Sequence, residues 1–351
     1  MDDQRVQTLK ALKLGSMLAA LAVCGPLTTA QAADAPAASA KTEVGVLRLD
    51  PALDKVIAPG ARIEKVATGF GFAEGPMWRE GRLWFSDLTG NKMVAVSPNG
   101  KVEVLIDHAG GLAQIPPNGS PFKGSNAMVT DKDGTVLMNQ HGARRIVRLD
   151  SKLHMTPFLE RYDGKRLNSP NDLVFASDGA LWITDPPYGL DGQDKDPAKE
   201  VPFNGVYRYA NGKLTAVITD IPRPNGIGFS PDGKTLYISN SEPKMFVRAY
   251  DVAPGGKVSN PRTFIEYPEP NPVDVPDGLK VDSAGNVWTS GPGGIRIISP
   301  QGKVLGQIKL PEKAAANLAW ADDGHTAYIC SAESIYRLKL ATPGKMPLYT
   351  R

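Results

Sequence analysis

Short apolar runs recur along the chain in pairs, and each pair is separated by a polar turn. The segment "SPNDLVFASDGALWITD", which begins at Ser169, has apolar runs at residues 173–175 and 181–184 around an Asp-Gly turn. Short apolar runs bounded by Asn, Asp, Gly and Pro are typical of strands in β-hairpins. Helical periodicity is nearly absent, so the pattern predicts an antiparallel β-protein.

The same unit occurs six times between residues 74 and 331. Each copy has a polar residue, an apolar strand, a turn and a second strand that ends on a polar residue. The first polar residues, here called the anchors, are Glu74, Asn126, Asn171, Asn225, Asp277 and Asn317. Successive anchors lie 40 to 54 residues apart, a spacing typical of propeller blades. The sequence therefore predicts an all-β fold: a six-bladed β-propeller of four-stranded antiparallel blades over residues 61–351.

The direction of the strands places the polar residues at one mouth of the propeller. The first two strands of a blade run in opposite directions, so the start of one lies beside the end of the other. We therefore expect the anchors to surround the central channel there. The residues that end the second strands, here called the rim residues, should lie farther out: Asp87, His141, Asp185, Asn240, Ser290 and Ser331.

Two segments outside the six units have predicted roles. Blade six contains three strands, and "RIEKVATG", residues 62–69, precedes the first anchor without a blade of its own. We predict that it pairs beside residues 334–338 and closes the ring, which leaves no open edge. The long connection at residues 185–203 is expected to form a wall of the mouth, with Tyr188 as a candidate contact to substrate.

The first 32 residues have the pattern of a signal peptide. Basic residues are followed by an apolar run at residues 14–24 and by Ala-Gln-Ala at residues 30–32. We therefore expect export to the periplasm or the medium, residues 33–60 as a leader or linker, and no membrane partner after cleavage. Lipid attachment at Cys24 is an alternative, which the bulky Val23 disfavours.

Charge and cysteine content narrow the possible functions. The 40 Lys and Arg residues nearly balance 37 Asp and Glu residues, and no basic run occurs, which argues against nucleic acid as a partner. Small molecules are the expected ligands, and nothing indicates the oligomeric state. Cleavage would leave Cys330 as the sole cysteine; its apolar surroundings indicate a core thiol. The chain lacks the G-x-S-x-G motif of serine hydrolases.

The anchors themselves carry the candidate chemistry. Two are carboxylates and four are amides, and none is a sulfur or imidazole ligand. Calcium takes 6 to 8 such oxygen ligands, whereas zinc more often takes nitrogen or sulfur. Any single Asn or Asp before a strand could instead bond its local backbone. Six anchors in register, two of them acidic, favour a site for a hard cation.

The segment "RYDGKRLNSPNDLVFASDGALWITDPPYGL" resembles the gluconolactonase, regucalcin (senescence marker protein) and luciferin-regenerating-enzyme family, and within it the bacterial gluconolactonases. The segments "EGPMW", "RPNGIGFS" and "VPDGLKVD" are similar to that family as well. The resemblance covers residues 62–340. It implies a six-bladed propeller that hydrolyses sugar lactones with one divalent cation, calcium ahead of zinc, magnesium or manganese. It places Glu74, Asn225 and Asp277 on metal-ligand positions, and Asn171 on a position that binds metal or substrate.

Lactone hydrolysis assigns expected roles to these residues. The cation would polarise the lactone carbonyl, and a base would activate water. The candidate bases are Asp277 and His141, and the candidate substrate contacts are Asn126, Asn171, Tyr188 and Arg166. Two alternatives remain: hydrolysis of organophosphates or other lactones on the same metal, and a noncatalytic propeller that binds metal and ligand.

Overall fold

The structure is a computed structural model that describes residues 44–268, 274–312 and 314–350. The predicted signal peptide and Cys24 lie outside the described residues. Before the first blade come β1 (Gly45–Arg48), a 3-10 helix (Pro51–Lys55) and β2 (Ile63–Thr68).

The remaining strands follow the six repeats. Blade one contains β3 (Ala73–Arg79), β4 (Arg82–Asp87), β5 (Lys92–Val96) and β6 (Val102–Asp107). Blade two contains β7 (Ser125–Thr130), β8 (Val136–Gln140), β9 (Arg145–Leu149) and β10 (Met155–Leu159). A small hairpin of β11 (Arg161–Tyr162) and β12 (Lys165–Arg166) follows. Blade three contains β13 (Leu173–Phe175), β14 (Leu181–Asp185), a 3-10 helix (Gln193–Lys195), β15 (Gly205–Ala210) and β16 (Lys213–Ile218).

The second half of the chain repeats this order. Blade four contains β17 (Pro224–Phe229), β18 (Thr235–Asn240), β19 (Phe246–Ala253), a 3-10 helix (Pro254–Gly256) and β20 (Lys257–Glu266). Blade five contains β21 (Leu279–Val281), β22 (Val287–Gly291), β23 (Gly294–Ile298) and β24 (Val304–Lys309). Blade six contains β25 (Ala315–Ala321), β26 (Thr326–Ser331) and β27 (Ser334–Lys339). The predicted six-bladed propeller is confirmed.

Each blade begins with a tight hairpin that the sequence repeats encode. In blade three, Leu173 lies opposite Ile183 and Phe175 opposite Leu181, as the two apolar runs predicted. The turn between the first two strands of every blade contains a glycine at positive φ, which residues with a Cβ rarely adopt. These glycines are Gly81, Gly134, Gly179, Gly233, Gly285 and Gly324.

The ring is closed by the N-terminal strand that the sequence predicted. Strand β2 pairs antiparallel with β27, with Ile63 opposite Leu338 and Thr68 opposite Ser334. The hydroxyl oxygens of Thr68 and Ser334 lie 3.0 Å apart, which adds a side-chain hydrogen bond to the ladder. The prediction of closure by residues 62–69 is confirmed, and β27 is not left as an open edge.

Residues 45–57 are folded, which corrects the assignment of this part of residues 33–60 to a leader or linker; residues 33–43 lie outside the described residues. Strand β1 pairs with β24 and adds a fifth strand to blade five. Leu53 and Ile57 are fully buried in the core between blades five and six. Residues 45–57 belong to the propeller because two apolar side chains fix them to it.

The core consists of apolar layers between neighbouring blades rather than one central cluster. Six clusters of buried residues fill the six contacts, so each blade is covered on both faces. Cys330 is fully buried in the layer between blades six and one. None of the helices in the described ranges is long and apolar enough to cross a membrane.

Candidate functional site

Five of the six anchors line one cavity of about 310 Å³ at a mouth of the central channel. They come from five different blades, and each lies at or just before the start of its innermost strand. Phe72 and Phe122 form an apolar part of the wall, with their ring centroids 5.6 Å apart. The five lining anchors are Glu74, Asn126, Asn171, Asn225 and Asp277.

Four oxygen atoms of these anchors lack a hydrogen-bond partner within the described chain. They are Glu74 Oε2, Asn126 Oδ1, Asn171 Oδ1 and Asn225 Oδ1. A buried acceptor without a partner costs free energy, so such atoms are rare unless a ligand completes them. The Asp277 carboxylate, in a partly buried residue, adds a second acid to the same cavity.

This set of donors fits a hard divalent cation. Two carboxylates and three amide carbonyls offer oxygen atoms alone, which calcium prefers. The described part of the chain contains no group of three or more His, Cys, Asp and Glu side chains placed to hold a metal. The arrangement is therefore unlike a zinc site, which commonly uses nitrogen or sulfur ligands.

In three anchors, Glu74, Asn126 and Asn225, one polar side-chain atom is hydrogen-bonded to another side chain. This bond turns the remaining oxygen toward the cavity. Asn225 Nδ2 donates to Ser241 Oγ at 3.1 Å, and Ser241 Oγ donates to Pro276 O at 2.7 Å. Glu74 Oε1 accepts from Asn317 Nδ2 at 2.8 Å. The sixth anchor, Asn317, is fully buried, does not line the cavity, and supports Glu74 instead.

His141 fixes a third anchor and is itself buried. Its Nδ1 lies 3.2 Å from Phe122 O, an acceptor, so this nitrogen carries the proton. The other ring nitrogen, Nε2, then accepts from Asn126 Nδ2 at 3.0 Å, and Asn126 Oδ1 stays open to the cavity. Burial lowers the pKa of His141 to about 4, although the bond to Phe122 O opposes this shift. The geometry therefore disfavours His141 as a base and makes it a partner of Asn126.

Burial and neighbouring acidic charges raise the pKa of both acids of the cavity. Burial, followed by the charges of Asp277 and Asp172, raises the pKa of Glu74 well above its usual range. Burial, followed by the charge of Asp172, raises the pKa of Asp277 to about 7. A bound cation would oppose both shifts, because a nearby positive charge favours the ionised carboxylates.

The rim residues share a structural role that the sequence did not reveal. Each one bonds the backbone that leads into the first strand of its own blade. Asp87 Oδ1, for example, accepts from Gly71 N and Phe72 N, both at 3.0 Å. The other pairs are Asp185 with Asn168 N and Ser169 N, Asn240 with Arg223 N, Ser290 with Asp277 N, Ser331 with Ala314 O, and His141 with Phe122 O.

The Pro-Asn-Asp and Asp-Pro-Pro ends of the blade-three hairpin are part of this scheme. The two carboxylate oxygens of Asp185 accept from Asn168 N and Ser169 N, each at 2.8 Å. Burial raises the pKa of Asp185 to about 7, although these two hydrogen bonds oppose the shift. Asp185 thereby holds the segment that presents Asn171 to the cavity.

Tyr188 lies where the sequence placed it, in the wall formed by the long connection after β14. Tyr188 and Gln193 both line the cavity. Ser120 Oγ donates to Tyr188 O at 2.6 Å, and the Arg223 guanidinium lies 5.8 Å from the centroid of the Tyr188 ring. The connection is thus tied to neighbouring blades and forms a fixed wall.

Arg166, predicted as a substrate contact, is placed elsewhere. It is not among the described residues that line the cavity. Its Nη2 donates to Ala143 O at 3.1 Å, and its backbone N–H donates to Glu200. Arg144 is likewise bonded to backbone, with its Nε donating to Leu167 O at 2.8 Å. Both guanidinium groups bond the backbone of connecting segments.

Three polar residues near the site were missed by sequence reasoning. Ser241 orients Asn225, while Asp172 and Lys280 form an ion pair at 3.3 Å farther along the channel. Lys280 had a detectable signal, because it stands between the buried Leu279 and Val281 in a short innermost strand. Alternation places its side chain on the other face of the strand from Leu279 and Val281, away from the apolar layer with blade four.

Residues 72–333 match the SMP-30/Gluconolactonase/LRE-like region, and the chain belongs to this family. A gluconolactonase from Zymomonas mobilis is 34% identical over 312 residues, which are 85% of this chain and 87% of that protein. The solved structure of a gluconolactonase from Xanthomonas campestris is 30% identical, covers 84% of this chain and 94% of its own, and has a TM-score of 0.73. Regucalcin from Agrobacterium tumefaciens shares the fold, with 20% identity, a TM-score of 0.63, and 81% and 95% of the two chains covered.

Proposed function

We propose that this member of the family hydrolyses sugar lactones with the help of a divalent cation held by Glu74, Asn171, Asn225 and Asp277. The observation that carries the proposal is the set of partnerless anchor oxygens, which share a cavity of about 310 Å³ with Asp277. The all-oxygen donor set favours calcium. The 34% identity to a gluconolactonase over most of both chains supports the substrate class.

The proposed reaction adds water to the carbonyl carbon of the lactone and breaks the bond from that carbon to the ring oxygen. The ring oxygen leaves as an alcohol after it gains a proton, and the carbonyl carbon becomes a carboxylate with release of a proton. A bound cation supplies Lewis-acid polarisation of the carbonyl and stabilises the developing negative charge. The chain must therefore supply the base, the orientation of the ring and the apolar surroundings.

Asp277 is the proposed proton acceptor. Its carboxylate belongs to the cavity wall, and its backbone is fixed because Asp277 N donates to Ser290 Oγ at 2.8 Å. His141 is a poorer candidate, since its free lone pair is occupied by Asn126 and its pKa is lowered to about 4. Tyr188 is proposed to face the sugar ring from the cavity wall.

The test is a panel of aldonolactones and phosphotriesters assayed with calcium, with zinc and after exhaustive chelation. We expect calcium-dependent opening of aldonolactones that chelation abolishes and added calcium restores. Full activity after chelation would contradict the role of the cation. Faster hydrolysis of phosphotriesters would favour the organophosphate alternative, and cation binding without turnover of either class would indicate a noncatalytic propeller.

We also propose that the protein is exported, because residues 1–32 have the charge and hydrophobicity pattern of a signal peptide. Cell fractionation and N-terminal sequencing of the mature protein test this. A soluble periplasmic or secreted chain that begins at Ala33 is expected. An intact cytoplasmic chain, or one that carries lipid on Cys24, would contradict the proposal.

A further inference from the structure

Beneath the anchors, the channel contains Lys280, which is connected through Asn317 to the proposed cation ligand Glu74. Lys280 lies on β21 and lines a second, smaller cavity of about 90 Å³, to which residues 345–350 also contribute. Its side chain is 25% exposed, so most of the side chain is removed from bulk water. A charge in such surroundings needs close polar partners.

The ammonium has three of them. Lys280 Nζ donates to Asp172 Oδ2 at 3.3 Å, to Asn317 Oδ1 at 3.1 Å and to Leu279 O at 3.1 Å. A lysine ammonium carries three donors and no acceptor, so these contacts use its full capacity. The group that faces it from Asn317 must therefore be the amide oxygen.

This contact fixes which way the Asn317 amide points. Its Oδ1 also accepts from Leu318 N at 2.9 Å, so its Nδ2 is turned to Glu74 Oε1 at 2.8 Å. The side chain fits because residue 278 is glycine, where a Cβ would lie 2.0 Å from Asn317 Cγ. One Glu74 oxygen is thus held by Asn317, and the other is left for the cavity.

We propose that Lys280 is a positioning residue for the cation site, which acts through the Asn317 amide to aim Glu74 Oε2 into the cavity. The inference rests on the proposed function only in treating Glu74 as a cation ligand. The competing explanation is that Lys280 serves solely as the counter-charge of Asp172. The two explanations differ in what they predict for cation affinity, which is measured without any substrate.

Lys280→Met provides a test because the loss of charge and the loss of positioning should change the cation affinity in opposite directions. Removal of a positive charge near a cation site should by itself strengthen cation binding. Loss of positioning should weaken it, because the Asn317 amide oxygen then keeps only the bond from Leu318 N and the amide holds Glu74 less firmly. We expect calorimetric titration of calcium into chelator-treated protein to show about tenfold weaker binding. Unchanged or tighter binding would overturn the proposal.

The matched control for charge is Lys345→Met. Lys345 lines the same small cavity, and no hydrogen bond from its side chain to Asn317 occurs in the described chain. This variant removes the same charge from the channel and leaves the Asn317 amide in place. We expect its calcium affinity to equal or exceed that of the parent. A tenfold loss here as well would show that a substitution in the channel weakens binding without any change at the Asn317 contact, and it would overturn the proposal.

A double variant keeps the test valid if Lys280→Met unfolds because Asp172 loses its counter-charge. Lys280→Met with Asp172→Asn has the parent's net charge and no unpaired ion, and it still lacks the donor to Asn317. We expect it to fold and to bind calcium about tenfold more weakly than the parent. Parental affinity in the double variant would show that Lys280 acts only as a counter-charge. Absence of lactone hydrolysis by the parent would instead refute the proposed reaction and leave the binding comparison unaffected.

Discussion

The anchor side chains divide their polar atoms between the protein and the cavity. Asn126 and Asn225 each use the amide nitrogen for a neighbouring side chain, and Glu74 uses one carboxylate oxygen in the same way. The atoms left over are all oxygens without partners in the described chain. The site is thus a set of acceptor oxygens, and the hydrogen bond made by the other polar atom of each side chain fixes their orientation.

The charged anchors should matter more for cation binding than the neutral ones. For Glu74→Gln and Asp277→Asn we expect calcium affinity to fall by roughly 100-fold or more, since loss of a buried charged contact costs about 2–5 kcal/mol. For Asn126→Ala, which removes a neutral oxygen of the cavity that is not a proposed ligand, we expect about tenfold or less. Calorimetry and lactone turnover should rank the variants in this order. Equal losses for all three would contradict the assignment of the two acids as ligands.

His141→Gln should separate a positioning role from a catalytic one. General base catalysis contributes roughly 10² to 10⁴-fold, whereas loss of a positioning contact costs less. Because His141 is bonded to Asn126 and its pKa lies near 4, we expect a modest fall in kcat/KM and an unchanged pH profile. The check is a pH–rate profile at full calcium occupancy. A fall of 100-fold or more, with loss of an ionisation near neutral pH, would identify His141 as the base.

At the level of strands, each blade holds its anchor through a bond between its second strand and the segment that leads into its first. Asp185 accepts from two backbone N–H groups of that segment, and Asp87 does the same in blade one. The hairpin turn lies at the opposite end of the two strands, near Gly179 in blade three. The polar residues at the hairpin ends therefore have two roles: the rim residues hold the backbone in position, and the anchors offer oxygen atoms to the cavity.

Asp185→Asn tests the rim bond within one hairpin. An amide can accept at one atom only, so a backbone N–H of the lead-in segment would meet an NH₂ group and lose its partner. We expect a loss of about 1–3 kcal/mol in the free energy of unfolding, together with weaker calcium binding through Asn171. Asp178→Asn, in the exposed turn of the same hairpin, should cost less than about 1 kcal/mol. Similar losses for the two variants in denaturant titrations would contradict the rim role.

The sequence predicted the blades and the mouth because both follow from strand direction and spacing. Once strands alternate, the start of each first strand must lie at one end, so Glu74 and Asp277 must lie at the same mouth. Side-chain direction and partners do not follow from that pattern. Arg166 stands close to Asn171 in sequence, yet its guanidinium bonds Ala143 O outside the cavity. The alternation in β21 marks Lys280, but its partners Asp172 and Asn317 lie in other blades and far from it in sequence, so its role could not be read from the pattern.

For the molecule as a whole, closure of the ring depends on β2, which comes from the opposite end of the chain to its partner β27. Ala67→Pro places a residue without an N–H in the middle of β2, where Ala67 lies opposite Ile335. We expect a lower melting temperature and aggregation through the exposed edge of β27. Leu47→Pro in β1, which only extends blade five, should have a smaller effect in thermal unfolding and light scattering. The reverse order would show that β1, rather than β2, stabilises the ring.

The cation should also couple the stability of the whole propeller to pH. In the cation-free protein, Asp277 has a pKa of about 7 against 3.8 for an unperturbed aspartate, and the pKa of Glu74 is raised as well. Between about pH 4 and 7 the folded state then binds more protons than the unfolded state, so this contribution to stability is lost as pH rises. Asp185 shifts in the same direction and His141 in the opposite one, but neither is a proposed ligand.

Comparison of chelated and calcium-saturated protein isolates the ligands, because shifts at the other groups are common to both forms. Calcium requires the two carboxylates without protons, so its binding releases protons and tightens as pH rises. We therefore expect the increase in melting temperature caused by a fixed calcium concentration to grow from about pH 5 to pH 8. Glu74→Gln should flatten this dependence, since one of the two titrating ligands is gone. An increase that stays constant across this pH range would mean that Glu74 and Asp277 do not change protonation when the cation binds, and the two acids would then not be its ligands.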